Sequence, residues 1–267
     1  MTRAGLVPPL DAGAVPLSVL VDFDGTVSAS DVTDVLLARH ATDEEWRARD
    51  DAYAAGRAGS RSLLAWDATI LGTDRTRLEA TAGAQLLDPS FTPFAERLRR
   101  AGATVEIVSD GLGFYVEPLL ARIGAGEVPV ATAAMDFEAV PFRLEFPFGH
   151  PACFVCGTCK RERVRAHQEA GRFVVFVGDG DSDRYGAWQA DLVFAKRRLA
   201  RLCEAEGWPY RPWERFADVG GALDRALLEG TVPRSQEDLH RLRAAGRSKR
   251  FICGPEAWGE GRVSPGP

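Results

Sequence analysis

The chain has 267 residues, of which 45% are hydrophobic, with 33 basic and 38 acidic side chains and a formal net charge of −5. That is enough apolar sequence for one sizeable core with a small insert, and without a long basic run it argues against a nucleic acid as the main partner. No apolar stretch approaches the roughly 20 residues that span a bilayer, MTRAGLVPPLDAG carries an aspartate and two prolines where a leader needs an apolar core, and the cysteines do not form a secreted framework; the expectation is a soluble cytoplasmic protein.

The first predicted strand is LSVLVDFDG from Leu17, an apolar run that ends on Asp22 and Asp24 and then turns at Gly25-Thr26. From Asp31 to Asp88 the rhythm is helical throughout, and residues 31–88 are expected to form an inserted helical cap. Asp31 stands where it can cap a helix carrying Val32, Val35 and Leu36; Thr42 and Glu45 have capping-box spacing; Ser60 or Ser62 opens a third run; Gly72-Thr73 precedes a fourth helix. Trp46, Tyr53 and Trp66 are expected in the core of this lid. A helix over Phe91–Ala101 leads to the second strand, TVEIVSDG from Thr104, whose Asp110-Gly111 reads as a turn. Residues 128–148 suggest a hairpin or extended edge. A helix from Lys160 to Ala170, the strand FVVFVGDG from Phe173, the strand Asp191–Ala195 and a helix over Arg197–Glu206 complete an alternating pattern. That pattern predicts an α/β fold, a doubly wound parallel sheet, formed by residues 1–30 and 89–230. The polar segment 231–267, rich in glycine and proline toward its end, is expected to be a partly disordered extension.

Three strands that stop on polar, glycine-containing turns point to one shared site beyond their carboxyl ends. Strand alternation sends Asp22 and Asp24 to the same side and Phe23 to the other. Two buried like charges need a neutraliser, and a hard divalent cation such as Mg2+ takes oxygen ligands of this kind. The third strand supplies Asp179, with Asp181 and Asp183 just behind it.

These residues resemble the haloacid dehalogenase superfamily of aspartate-nucleophile phosphatases. Asp22-Phe23-Asp24-Gly25-Thr26 is similar to its first motif, Ser109 to the second, Lys160 to the third, and Gly178-Asp179-Gly180-Asp181-Ser182-Asp183 to the fourth. The resemblance implies a phosphomonoester hydrolase with Asp22 as nucleophile and Asp24 as acid and base. It further implies Mg2+ held by Asp22, the Asp24 carbonyl and Asp179, a phosphate bound by Ser109 and Lys160, and Asp183 supporting Lys160 or a metal-bound water, with Gly25 and Thr26 completing the turn. The partner is then a small phosphorylated molecule, and the oligomeric state stays open.

A small helical insert between the first two motifs is similar to the branch that includes phosphoserine phosphatase, where Asp31 stands near the position of a residue that reads the substrate ammonium. Cys156-Gly157-Thr158-Cys159-Lys160 and DFDGTVSASDVTDVLL resemble the methionine-salvage phosphatases that act on 2-hydroxy-3-keto-5-methylthiopentenyl-1-phosphate, and their relatives that act on phosphocholine and phosphoethanolamine. A phosphotransferase and a phosphometabolite-binding protein are the alternatives. His150, Cys153, Cys156 and Cys159 recur every third residue and form a candidate structural Zn2+ site, with reduced packing thiols as the other reading.

Overall fold

The computed structural model describes residues 15–245. Within them, β1 (Leu17–Val21) is buried along its whole length and lies at the centre of a seven-stranded sheet. β2 (Thr104–Leu112) and β5 (Phe173–Gly178) flank it in parallel register, with Val19 opposite both Val105 and Val175. β3 (Val130–Asp136) adds outside β2, and the three-residue β4 (Arg143–Glu145) closes that edge as the antiparallel arm of a hairpin. β6 (Leu192–Ala195) and β7 (Arg211–Pro212) extend the opposite side in parallel.

Because successive residues of a strand face opposite sides, a buried parallel sheet needs cover on both. Val19, Val21, Val105, Ile107, Val175 and Val177 pack against α5 (Phe91–Arg100), α6 (Gly113–Arg122) and α10 (Phe216–Leu228) through Phe94, Leu98, Val116, Leu119 and Leu223. Leu20, Val108, Val174, Phe176 and Val193 pack on the other face. There they meet Val164 of α7 (Lys160–Glu169), Ala187 of α8 (Arg184–Gln189) and Leu199 and Cys203 of α9 (Arg197–Glu206). Strand order reverses at β1, between β2 and β5, which is where a doubly wound sheet opens a crevice at its carboxyl edge.

Four helices occupy the segment between β1 and α5: α1 (Val32–His40), α2 (Trp46–Ala54), α3 (Ser60–Ile70) and α4 (Arg75–Gly83). Asp31 caps α1, its carboxylate accepting the Asp34 N–H at 3.0 Å. The capping box expected of Thr42 and Glu45 does not form, because Thr42 donates both its N–H and its hydroxyl to the Ile70 carbonyl, and the Asp43 carboxylate takes the Glu45 N–H instead. Thr42 thereby ties the start of α2 to the end of α3.

The segment after Thr231, expected to be a partly disordered extension, is helical in part where it is described. Gln236–Ala245 forms α11, with Leu239 fully buried and Arg243 ion-paired at 2.7 Å to the nearly buried carboxylate of Asp191. Periodicity missed this helix because a single apolar residue anchors it and its other tie is a distant charge. The rest of that segment, 246–267, and residues 1–14 lie outside the described residues. Among the described residues no helix is long and apolar enough to cross a membrane. Leu239→Ala is expected to cost about 2–4 kcal/mol in urea unfolding; an unchanged midpoint would show that α11 does not contribute to the fold.

Candidate active site

β1 ends by delivering Asp22, whose N–H continues the ladder to the Val177 carbonyl. Asp22 is 4% exposed, a buried carboxylate at the centre of the crevice. Lys160, the first residue of α7, answers it from 2.7 Å, and the same Nζ donates to Asp183 at 2.6 Å and to the Ser182 hydroxyl at 3.0 Å. Two carboxylates on one ammonium pull the lysine pKa well up, against the burial that would lower it. This explains a cation at the positive end of a helix dipole: the carboxylates outweigh the dipole's fraction of a charge.

Asp24 lies in a different setting. Its carboxylate accepts the Val32 N–H at 2.9 Å and the Tyr115 hydroxyl at 2.8 Å, and Tyr115 in turn contacts the Thr33 hydroxyl at 2.9 Å. Burial, then the charge on Asp31, push the Asp24 carboxyl well above its ordinary value. The two aspartates of one turn are therefore held differently, one by a lysine and one by a phenol and an amide.

Asp179, just beyond β5, accepts the Thr26 hydroxyl at 3.0 Å and Arg197 at 3.1 Å. Asp183 accepts the backbone N–H groups of Asp179 and Gly180, so the loop after β5 folds around that one side chain. Gly25 has φ +70°, and a β-carbon there would stand 2.4 Å from an Asp179 oxygen, so both conformation and space demand glycine. Among the described residues, Asp22, Asp179 and Asp183 are the one set of three whose ligand atoms lie within 4.8 Å of one another. Buried hard oxygen donors at that spacing fit Mg2+. The set includes Asp183, which the sequence assigned a supporting position, and leaves out the Asp24 carboxylate, which is turned to Tyr115.

Ser109 sits where β2 leaves register with β3, the pairing shifting between Val108 and Leu112. The irregularity aims Ser109 and Asp110 into the crevice. The Ser109 hydroxyl accepts the Gly111 N–H at 2.9 Å, and a β-carbon on Gly111 would stand 2.3 Å from Asp24 Oδ2. Asp110 is not a simple turn residue: its carboxylate accepts the Thr158 N–H at 2.6 Å and lines the pocket.

The cysteine-rich loop is a strap between core and cap. Thr158 is tied to Asp110, Gly157 donates its N–H to the Ser60 hydroxyl at 3.2 Å, and Arg61 of α3 donates its own to the Val155 carbonyl. His150 Nδ1 accepts the Ala152 N–H, and burial pushes the Cys159 thiol up to about 11, so that it is a neutral thiol where α7 begins. His150, Cys153, Cys156 and Cys159 do not bring three ligand atoms together, which corrects the zinc expectation: the spacing belongs to an open loop whose backbone is committed to Asp110 and Ser60.

Above the crevice the cap closes a pocket of about 270 Å³. Its floor includes Asp22, Asp24, Ser109 and Asp179, and its upper wall carries Asp31, Asp34, Asp50 and Asp67 with Trp46, Tyr53 and Leu64. Trp46 and Tyr53 thus line the cleft, Trp46 packing on the core as well, whereas Trp66 packs on the core and lies under Arg49 at 4.0 Å. Tyr115, Asp110 and Arg197 belong to the site without a motif to announce them. Arg197 has φ +50°, a strained backbone that only tertiary contacts hold, and it reaches the Gly25 carbonyl as well as Asp179.

The switch point of the sheet thus gathers Asp22, Asp24, Asp179 and Asp183 around the buried Lys160 and the Ser109 hydroxyl. Residues 19–187, more than half of the chain, match the family model for haloacid dehalogenase-like hydrolases, and the chain belongs to that family. It is 28% identical over 207 residues to a 2-hydroxy-3-keto-5-methylthiopentenyl-1-phosphate phosphatase of Exiguobacterium sibiricum, covering 76% of this chain and 94% of that one. A protein of the same description from Brevibacillus brevis is 27% identical over 220 residues, covering 80% and 97%. Among solved structures, a phospho-aspartyl intermediate analogue of phosphoserine phosphatase superposes with TM-score 0.58 at 17% identity, over 75% of this chain and 95% of that one. A phosphoserine phosphohydrolase-like protein from Francisella tularensis gives 0.60 at 15%, over 77% and 99%. These two likenesses concern the fold.

Asp67 yields a test of the site's electrostatics. Burial, then the charges of Asp34, Asp50 and Asp31, push its carboxyl from 3.8 up to about 7. The folded protein holds that proton more tightly than the unfolded chain does, so stability contributed by Asp67 is present below about pH 4 and lost as pH rises through about 7. Asp67→Asn, which cannot ionise, is expected to be more stable than the parent above about pH 7 and to lose that advantage toward pH 4, followed by urea unfolding across the range. A disadvantage that grows with pH would mean that the carboxylate is stabilising.

Proposed function

We propose that the chain is a Mg2+-dependent phosphomonoester hydrolase that works through an aspartyl-phosphate on Asp22. The observation that carries this reading is the contrast between two adjacent carboxylates at one strand end, Asp22 paired with Lys160 and Asp24 paired with Tyr115 and the Val32 amide, both opening on one small pocket. Burial and the charge of Asp183 push the Asp22 carboxyl well up, and Lys160, engaging one of its oxygens, works against them and fixes the side chain, leaving the other oxygen as nucleophile. The Ser109 hydroxyl and the Lys160 ammonium supply donors for the phosphoryl oxygens. Asp24 protonates the leaving alcohol and, once that has departed, takes a proton from the water that hydrolyses the aspartyl-phosphate. Tyr115 is a positioning residue that orients Asp24. Asp22, Asp179 and Asp183 would hold the Mg2+, which when bound supplies positive charge between the incoming phosphate and the carboxylates.

The cap supports a hydrolase acting on small molecules, since its helices limit the pocket and shield it from bulk water. The names of the relatives support a phosphorylated metabolite as substrate, and 2-hydroxy-3-keto-5-methylthiopentenyl-1-phosphate is the first ester to assay on that ground.

Phosphate release from p-nitrophenyl phosphate with added Mg2+ tests the reaction. Asp22→Asn is expected to lower kcat by a factor on the order of a thousand or more while the fold persists, and a chelator is expected to stop the parent enzyme reversibly. Undiminished turnover by Asp22→Asn would exclude the nucleophile. With an added alcohol, a transfer product exceeding free phosphate would make the chain a phosphotransferase.

A further inference from the structure

Asp179 comes to the site from the loop after β5 with all of its polar atoms engaged. Its N–H donates to Asp183 at 2.9 Å, its carbonyl accepts the Leu199 N–H at 2.9 Å, its Oδ1 accepts the Thr26 hydroxyl at 3.0 Å and its Oδ2 accepts Arg197 Nη1 at 3.1 Å. Arg197 is the unusual partner among these. It is the one non-glycine residue of positive φ among the described residues, at +50°, a conformation that persists only where the surroundings over-determine it. The turn that carries it is stitched to the end of β5 from both sides, by the Lys196 N–H on the Gly178 carbonyl at 3.3 Å and by Leu199 on Asp179. From there the guanidinium also donates Nη1 to the Gly25 carbonyl at 2.9 Å and Nη2 to the Ala29 carbonyl at 3.3 Å. The Ala29 N–H donates in turn to the Leu86 carbonyl at 2.9 Å, on the segment that returns from the helical insert. One side chain therefore fastens Asp179 to the stretch of chain that leaves β1 for the insert.

We infer that Arg197 is a positioning residue of the Mg2+ site, setting the affinity for the ion through Asp179 without itself touching ion or substrate. This rests on the Mg2+ part of the hydrolase reading. Of the three carboxylates whose ligand atoms lie within 4.8 Å, Lys160 holds Asp22 and Asp183 and leaves Asp179 to Thr26 and Arg197. A carboxylate oxygen has more than one lone pair, so a single hydrogen bond on each oxygen of Asp179 leaves it able to ligate. Outer hydrogen bonds of this kind orient a ligand before the ion arrives, and metal affinity falls when they are removed. The opposing effect is repulsion between the guanidinium and a dication. The Arg197 side chain is 51% exposed, so water and salt screen that repulsion, whereas the orientation given by a rigid fork is not screened. Positioning therefore outweighs repulsion. A lysine is no substitute, because its ammonium is a point donor on a flexible stem and cannot reproduce a fork shared by one carboxylate and two carbonyls.

The test is the Kd for Mg2+ of the full chain, stripped of metal and titrated in a calorimeter without substrate, for the parent, Arg197→Gln, Arg197→Lys and Arg198→Gln. Both Arg197 variants are expected to bind Mg2+ on the order of tenfold more weakly. Arg198→Gln removes a charge from the same turn, where Arg198 pairs with Asp181 at 3.0 Å, and is expected to stay within about twofold of the parent. Partial unfolding of a variant lowers the fitted stoichiometry and leaves the Kd of the folded molecules readable. In phosphate release from p-nitrophenyl phosphate, the Mg2+ concentration that gives half of each protein's own maximum should rise by the same factor as the Kd. Unchanged or tighter binding by the Arg197 variants would overturn the inference, as would full recovery in Arg197→Lys, which would assign the effect to charge, or an equal loss in Arg198→Gln. Each of those results leaves the hydrolase reading standing. A parent chain that binds no Mg2+ would remove the metal reading and the inference together.

Discussion

Like charges crowded at one end of a sheet are the constraint around which the rest of the molecule is arranged. β1 and β5 deliver Asp22 and Asp179 to neighbouring strand ends, and the turn after β5 adds Asp183, all three buried. Alone, that set would repel itself in a medium too dry to screen it. Lys160 makes it tolerable by placing one ammonium between Asp22 and Asp183, and it can do so only because α7 begins at the sheet's carboxyl edge. The loop that precedes α7 is accordingly held down at Asp110 and Ser60, so the cysteine-rich run works as a structural strap.

The same economy of charge separates the roles of Asp22 and Asp24. Both follow one strand and point the same way, yet Tyr115 from α6 and the first turn of α1 take hold of Asp24, while the lysine takes Asp22. The contact with α1 links chemistry to lid. Val32 opens the first helix of the insert, and its amide binds the Asp24 carboxylate, so the position of that helix and the orientation of Asp24 are set together.

The helices between β1 and α5 add a second acidic layer, Asp31, Asp34, Asp50 and Asp67, above the carboxylates at the strand ends. Carboxylates there raise one another's proton affinity and leave an oxygen of Asp67 without a partner, a local cost of the kind that folds retain at sites of function.

The sequence by itself determined the parallel sheet, the helices that follow Phe91, Lys160 and Arg197, and the positions of the four motifs, because each depends on local alternation or short spacing, whereas α6, α8, α10 and α11 were not read from it. It also marked the insert as helical, and the bounds of α9 agree with the expected helix over Arg197–Glu206. What it did not contain were pairings between distant elements. Tyr115 on Asp24, Arg197 on Asp179, Asp110 on Thr158 and Arg243 on Asp191 each join residues far apart in the chain, and no periodicity encodes them. Zinc was suggested by spacing alone, and failed because ligation needs side chains that converge, whereas this loop spends its backbone on holding the cap. Only the tertiary structure decided that the aspartates of three cap helices share one wall, since a helix repeat places each on its own face but does not say which faces meet.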